Sequence, residues 1–406
     1  MITFKDIEAA SERIAGAVFQ TACTHSIPLS EISGAEIFCK FDNAQRTGSF
    51  KERGARNALA QLSAEQKKRG VIAASAGNHA QALAYQGKLL GIPATVVMPQ
   101  YAPLIKITNC QKLGANVVLH GHDFGEAKAH AHKLAEEKGL AYIDGYDDPA
   151  IIAGQGTMGI EIVEQVKDID AVVVPVGGGG LIAGVSLAIK TLQPQTKVIA
   201  VEAENVASFA AAMKAGKPTK INLQPTLADG LAIPQVGANA FAIASKHVDQ
   251  TITVNEEQIA IAILRLTEIE KTVVEGAAAT PLAAILSGKL PELAGKRVAL
   301  LLCGGNIDPN ILGRVIERGL VADGRLCRFT AVISDRPGGL AILSKQIAAT
   351  GASIKQIVHE RAFANSDVST VNVLCTVETR NHEHFAQLRA HLKAHGIETS
   401  EVGSGD

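Results

Sequence analysis

AVVVPVGGGGLIAGVSLAI, residues 171–189, carries no charge over its whole length. By count alone it could cross a bilayer, which takes about 20 apolar residues. Pro175 and the glycines Gly177, Gly178, Gly179 and Gly180 would break such a helix in mid-membrane. A β-branched run, a glycine turn and an apolar helix start read instead as strand, loop and helix of an α/β protein with no membrane association.

The same grammar continues on both sides. Upstream, strands are expected over 71–74, 94–98, 116–120 and 141–144, separated by helices over 78–90, 104–113 and 125–138, with Gly91, Gly114 and Gly139 as stops. Strands alternating with helices of about 10 to 15 residues imply right-handed crossovers and a parallel sheet. Downstream, the strand at 171 opens a second series that continues at 198–202 and 297–303. Two α/β lobes follow, a small one over 47–150 inserted into a large one made of 1–46 and 151–320.

Beyond a helix over 310–318, residues 321–327 read as a linker and 328–406 as a separate domain. Strand 328–334, helix 339–349, strands 353–360 and 368–378, helix 382–395 and strand 396–402 give the β-α-β-β-α-β order of a ferredoxin-like unit.

With 39 Lys+Arg against 40 Asp+Glu, the chain has no surplus positive charge for a polyanion, so nucleic acid is not an expected partner. Apolar residues at 47% and charged residues at 19% describe a globular chain. The six cysteines are scattered without a C-x-x-C, as reduced thiols are. The first residues lack a charged stretch followed by an apolar one, so a cytoplasmic location is expected.

Four segments carry chemistry. Lys51 sits in Arg46-Thr47-Gly48-Ser49-Phe50-Lys51-Glu52-Arg53-Gly54. Ser75-Ala76-Gly77-Asn78-His79 is a small-residue turn opening a helix, whose free N–H groups make an anion seat. Gly177 to Gly180, without Cβ atoms, can bring backbone N–H groups around a phosphate. They fit neither G-x-G-x-x-G nor the Lys-bearing P-loop, which argues against dinucleotides and nucleoside triphosphates. Cys303-Gly304-Gly305-Asn306 follows the last apolar strand of the second series. Each is expected to put a reactive or backbone-donating group at the carboxyl end of a strand, where open α/β sheets bind ligands.

In this order and with these separations, the segments resemble the fold-type II (tryptophan synthase β-like) pyridoxal-phosphate enzymes, specifically the threonine/serine dehydratase group, from about residue 26 to 318. The resemblance implies two open parallel-sheet lobes and bound pyridoxal 5'-phosphate. It implies that Lys51, preceded by Phe50, is the Schiff-base lysine and Cα base, that Asn78 bonds the cofactor's phenolic oxygen, and that Gly177 to Gly180 form the phosphate cup. Cys303 is implied beside the pyridine nitrogen, Glu275 at the ring edge, and Ser75, Ala76, Gly77, Asn78 and His79 around the substrate carboxylate. Glu202 matches a cation-binding Glu of the relatives, although Ser208 stands where they carry Asp. The implied reaction is elimination of water from L-threonine or L-serine to a 2-oxo acid and ammonia.

Serine racemases of the group carry a second Ser where this chain has Ala76. The 328–406 segment, with Asp335-Arg336-Pro337-Gly338-Gly339-Leu340, resembles an ACT domain and implies a small-molecule effector. Relatives form homodimers or homotetramers. A serine racemase-like enzyme and a non-catalytic amino-acid sensor on the same fold are the alternatives, and the intact Lys51, Asn78 and Cys303 speak against the sensor. His130 and His132, two apart on one helix, point in different directions and do not suggest a metal site.

Overall fold

Ala171–Pro175 is a strand buried at every position and Gly180–Leu192 is a helix, so the quoted stretch folds as strand, glycine loop and helix. The computed structural model describes residues 1–360 and 369–401. It divides into two units, Met1–Ile311 and Leu312–Asp406.

The first unit holds strands β1 (Cys23–Ser26), β2 (Glu36–Lys40), β3 (Val71–Ala74), β4 (Ala94–Met98), β5 (Asn116–Leu119), β6 (Ala141–Tyr142), β7 (Ala171–Pro175), β8 (Lys197–Ala203), β9 (Gln250–Val254) and β10 (Arg297–Leu301). They form two sheets, a six-stranded one in the order β1-β2-β10-β7-β8-β9 and a four-stranded one in the order β5-β4-β3-β6. Every pair is parallel except β1 with β2, an antiparallel edge that the alternating pattern did not announce. The smaller sheet is made wholly from chain between β2 and β7.

Helix Pro149–Gln165 joins the two halves. Asp148 caps it by accepting from the amides of Ala150 and Ile151, and Pro149 takes the first turn, where no amide partner is needed. A Cβ on its Gly154 would stand 2.6 Å from Gly54 Cα, and one on Gly184 would stand 2.3 Å from the Ile152 carbonyl. The helix therefore lies backbone against backbone on helix Lys51–Ala60 at one face and on helix Gly180–Leu192 at another. Lys51 begins the first of these partners, and the glycine loop begins the second.

The second unit contains β11 (Leu326–Ser334), β12 (Ser353–Glu360), β13 (Thr370–Glu378) and β14 (Glu398–Glu401), all paired antiparallel in the order β12-β13-β11-β14. With helices Gly339–Ala349 and His382–Ala394 the order is β-α-β-β-α-β, around a core that includes Phe329, Leu343, Val373 and Leu388. This antiparallel unit is compatible with an ACT-like domain. The linker is shorter than the sequence suggests. Helix Pro309–Ala322 buries Gly319 instead of ending there, and β11 begins at Leu326, leaving three residues outside regular structure. Val368 and Val402, end residues of two expected strands, lie outside the described residues.

Among the described residues, no helix is long and apolar enough to cross a membrane.

Candidate active site

A cavity of about 950 Å³ opens in the first unit. Its walls come from loops that leave the carboxyl ends of β3, β6, β7 and β10, from residues 229–237, and from the starts of helices Lys51–Ala60 and Gly276–Leu286. Phe50, Lys51, Ser75, Ala76, Gly77, Asn78, His79, Gly177, Gly178, Gly179, Gly180, Glu275 and Cys303 all line it. Of the residues that the resemblance assigns to cofactor, substrate or cation, Glu202 alone lies elsewhere.

Lys51 opens its helix, and two backbone contacts fix the loop before it. Phe50 N–H donates to the Cys303 carbonyl at 3.0 Å, and Gly305 N–H donates to the Gly48 carbonyl at 2.9 Å. The Lys51 amine donates to the Gly145 carbonyl at 2.5 Å. Burial lowers its pKa from 10.5 to about 8, against the opposing pull of Asp144, Cys303 and Glu275. An amine so placed is half neutral near pH 8, and the neutral form is the one that attacks a carbonyl or takes a proton.

Opposite, Asn78 starts helix Asn78–Leu90. Its side-chain NH2 donates to Glu275 Oε1 at 2.7 Å, and its oxygen accepts from Asn306 Nδ2 at 2.8 Å. Burial raises the Glu275 carboxyl to about 7. A Cβ on Gly304 would stand 2.3 Å from Glu275 Oε1, so any larger residue here would displace that carboxyl from Asn78. Burial also raises the Cys303 thiol well above its usual 9.0, so it is a neutral group and not a thiolate.

The glycine loop is crowded on every side. A Cβ would meet Leu231 Cα at 2.9 Å from Gly177, the Tyr146 ring at 2.2 Å from Gly178, Val236 Cγ2 at 2.7 Å from Gly179 and the Tyr146 carbonyl at 2.4 Å from Gly180. Gly179 also holds φ at +95°, in the left-handed region. Among the described residues nothing accepts a hydrogen bond from the amides of Gly177 to Gly180. A cradle of free N–H groups at the start of a helix suits a phosphate. With an amine that can capture an aldehyde in the same cavity, the residues present fit pyridoxal phosphate.

His79 Nε2 lies 3.0 Å from the Ile143 carbonyl and donates to it, which leaves the lone pair on Nδ1, an atom without a partner among the described residues. Burial holds the ring neutral, with a pKa near 4. Ser75 Oγ accepts from Gly77 N–H at 3.2 Å and shapes the turn. Glu202 is buried outside the cavity, where its two oxygens accept from Phe209 N–H at 2.7 Å and Ala210 N–H at 2.8 Å. Among the described residues, no group of three or more His, Cys, Asp or Glu is placed to hold a metal ion. His130 stacks on His120 and His132 on Tyr142, on separate neighbours as their spacing implies.

Sequence reasoning passed over Asp144, Gly145, Tyr146 and Asp147, which also line the cavity. They follow β6, so the rule that selected the loops after β3, β7 and β10 would have reached them too. Asn306 was quoted within its segment without a role, yet it joins Asn78 to the Thr47 carbonyl at 2.7 Å.

Residues 14–304 match the family model described as pyridoxal-phosphate dependent enzyme. The chain belongs to that family, whose members work with pyridoxal phosphate. It is 46% identical over 403 residues to the L-threonine ammonia-lyase of Thermotoga maritima, covering 99% of this chain and 100% of that one. Among solved structures it is similar to the processed form of threonine deaminase isoform 2 from Solanum lycopersicum, with a TM-score of 0.74 and 38% identity over 78% of this chain and 87% of that one. The serine racemase of Dictyostelium discoideum is also similar, with a TM-score of 0.72 and 36% identity over 76% of this chain and 99% of that one.

Proposed function

We propose that the chain is a threonine ammonia-lyase, converting L-threonine to 2-oxobutanoate and ammonia, and L-serine to pyruvate and ammonia. The observation that carries this reading is one cavity holding a desolvated lysine amine, a neutral thiol and a cradle of free amides. Full-length similarity to an L-threonine ammonia-lyase supports it.

Pyridoxal phosphate, when bound, supplies an electron sink for the charge that develops at the substrate Cα. The chain's own groups have distinct tasks. Gly177 to Gly180 would hold the phosphate through their amides, and Asn78 would donate to the ring's phenolic oxygen. Cys303 would stand beside the pyridine nitrogen as a neutral thiol, which would stabilise a protonated ring less than a carboxylate. Phe50 and Glu275 flank the group. Ser75 to His79 receive the substrate carboxylate at the start of helix Asn78–Leu90. The Lys51 amine takes the Cα proton, after which the β-hydroxyl leaves as water and the resulting enamine hydrolyses to the 2-oxo acid and ammonia.

Similarity to a serine racemase raises the competing reaction, inversion at Cα, which needs an acid on the opposite face. Ala76 lines the cavity and has no proton to give there. Ala76→Ser is therefore expected to raise D-serine formation from L-serine, read by chiral chromatography, and an unchanged yield would count against this assignment.

The reading extends to the second unit, where Ser334 to Gly338, Leu340 and His359 line a cavity of about 250 Å³. We assign it to a small amino-acid effector of an ACT-type unit. The oligomer proposed is a homodimer or homotetramer, and the location cytoplasmic. The deciding experiment is 2-oxobutanoate formation from L-threonine by the purified, cofactor-loaded chain, with Lys51→Ala beside it. Product that depends on Lys51 is the expected result. No product from the unaltered chain, despite a cofactor absorbance band, would turn the assignment toward another β-hydroxy amino acid or a sensor.

A further inference from the structure

Lys51 is followed by two charged residues, Glu52 and Arg53, both wholly buried. Arg53 heads the largest fully buried side chains. Its Nε and Nη2 meet the two Asp42 oxygens at 2.7 Å each, and Nη1 and Nη2 meet the Glu161 oxygens at 2.5 and 2.8 Å. Lys40 Nζ completes the cluster, 2.6 Å from Glu161 and 2.6 Å from the Thr21 carbonyl. Thr21 Oγ1 donates to Asp42 at 2.5 Å. Two cations and two carboxylates thus close on one another.

None of the four charged residues lines the cavity, so they do not touch substrate or cofactor. Stability alone is a poor reason for the cluster, because a buried ionic group can often be replaced by apolar packing at little loss. What the planar fork of an arginine adds is direction, since it accepts its partners in one geometry only. Asp42 lies just after β2, Glu161 lies on helix Pro149–Gln165, and Arg53 lies in the first turn of the helix that Lys51 begins. Glu52 points to other partners, accepting from Thr47 N–H and, at 3.1 Å, from Gln86 on helix Asn78–Leu90. The two residues after Lys51 therefore tie its helix to the element that carries Asn78 and to the large sheet.

We propose that Arg53, gripped by Asp42 and Glu161, is a positioning residue that fixes the first turn of helix Lys51–Ala60 and so holds the Lys51 amine in place within the cavity. The inference rests on the cofactor role proposed for Lys51.

The test uses the full chain, loaded with pyridoxal phosphate, as Arg53→Lys, Arg53→Met and Glu161→Gln. Phe209→Leu serves as a core-loosening control distant in sequence from the cluster. Four quantities are read: kcat and KM for L-threonine, the absorbance band of the bound cofactor, and the melting temperature. A displacement of the amine by a fraction of an ångström is expected to lower kcat by at least about tenfold with KM changed less than about threefold. The absorbance band should change with it, and Arg53→Lys should keep more activity than Arg53→Met. Phe209→Leu should lose melting temperature and keep kcat within about twofold.

Arg53→Lys and Glu161→Gln that melt lower but keep kcat and the absorbance band would overturn the proposal and leave the cluster a purely structural one. Should Arg53→Met fail to fold, those two variants decide. Lys51→Ala, run alongside, separates the two readings. Activity independent of Lys51 defeats the cofactor role, whereas Lys51-dependent activity with indifferent Arg53 and Glu161 variants defeats only this inference.

Discussion

A methyl group on Gly178 would stand 2.2 Å from a ring carbon of Tyr146, closer than any real Cβ contact. Either the tyrosine or the loop must move, and overpacking of this kind costs about 1 to 3 kcal/mol. Gly178→Ala is expected to weaken pyridoxal phosphate binding by at least about tenfold, read by fluorescence titration, because the shifted loop misaims its amides. Unchanged affinity would remove the phosphate role from this loop. The glycine run was legible in the sequence because four consecutive residues without side chains have few other uses. Tyr146, which crowds Gly178 and Gly180, was not, since one loop tyrosine forms no pattern. Arg53 was hidden for a related reason. A charge in a helix reads as solvated, and its partner Glu161 is 108 residues away, so only the fold shows that the pair is buried.

At the scale of elements, Glu202 illustrates what resemblance can and cannot carry. Its position in β8 was read correctly, but its two oxygens serve the free amides at the start of helix Ser208–Ala215, as a capping group does. Burial raises its pKa from 4.5 to about 7. The folded chain therefore binds this proton more tightly than the unfolded chain, and the stability it contributes is full below pH 4.5 and lost as pH rises through 7. At about 1.4 kcal/mol per unit the change is on the order of 3 kcal/mol. Relative to Glu202→Gln, the cofactor-free chain should lose stability between pH 5 and 7, followed by urea unfolding. Parallel curves would show that the carboxyl does not titrate in this range. Helix ends were legible where glycine adopts a left-handed turn, as Gly91 and Gly139 do at +67° and +62°. They were illegible at Gly319, which packs inside its helix.

For the whole molecule, two sheets and a separate antiparallel unit were legible because the order of strands and helices changes near residue 326. The antiparallel β1–β2 edge was not, because pairing direction leaves no mark on so short a strand. If the second unit binds an effector, L-isoleucine or L-valine at millimolar levels should change the rate on L-threonine or raise the melting temperature. No response to either would withdraw effector binding by this unit. A ligand can shift the enzyme only by binding its states unequally, so a change in the binding affinity for L-threonine should be matched by an equal, substrate-dependent change in effector affinity.

Helix Pro149–Gln165 meets both neighbours at glycine, Gly154 against Gly54 and the Ile152 carbonyl against Gly184, where backbone atoms lie face to face with little room to compress. The lysine at the head of one neighbour and the loop at the head of the other are therefore set apart as by a gauge block. On the proposed reading, a molecule seized at both ends is sorted by length. Pyridoxal without its phosphate, or an analogue longer by one methylene, would engage one end at the expense of the other.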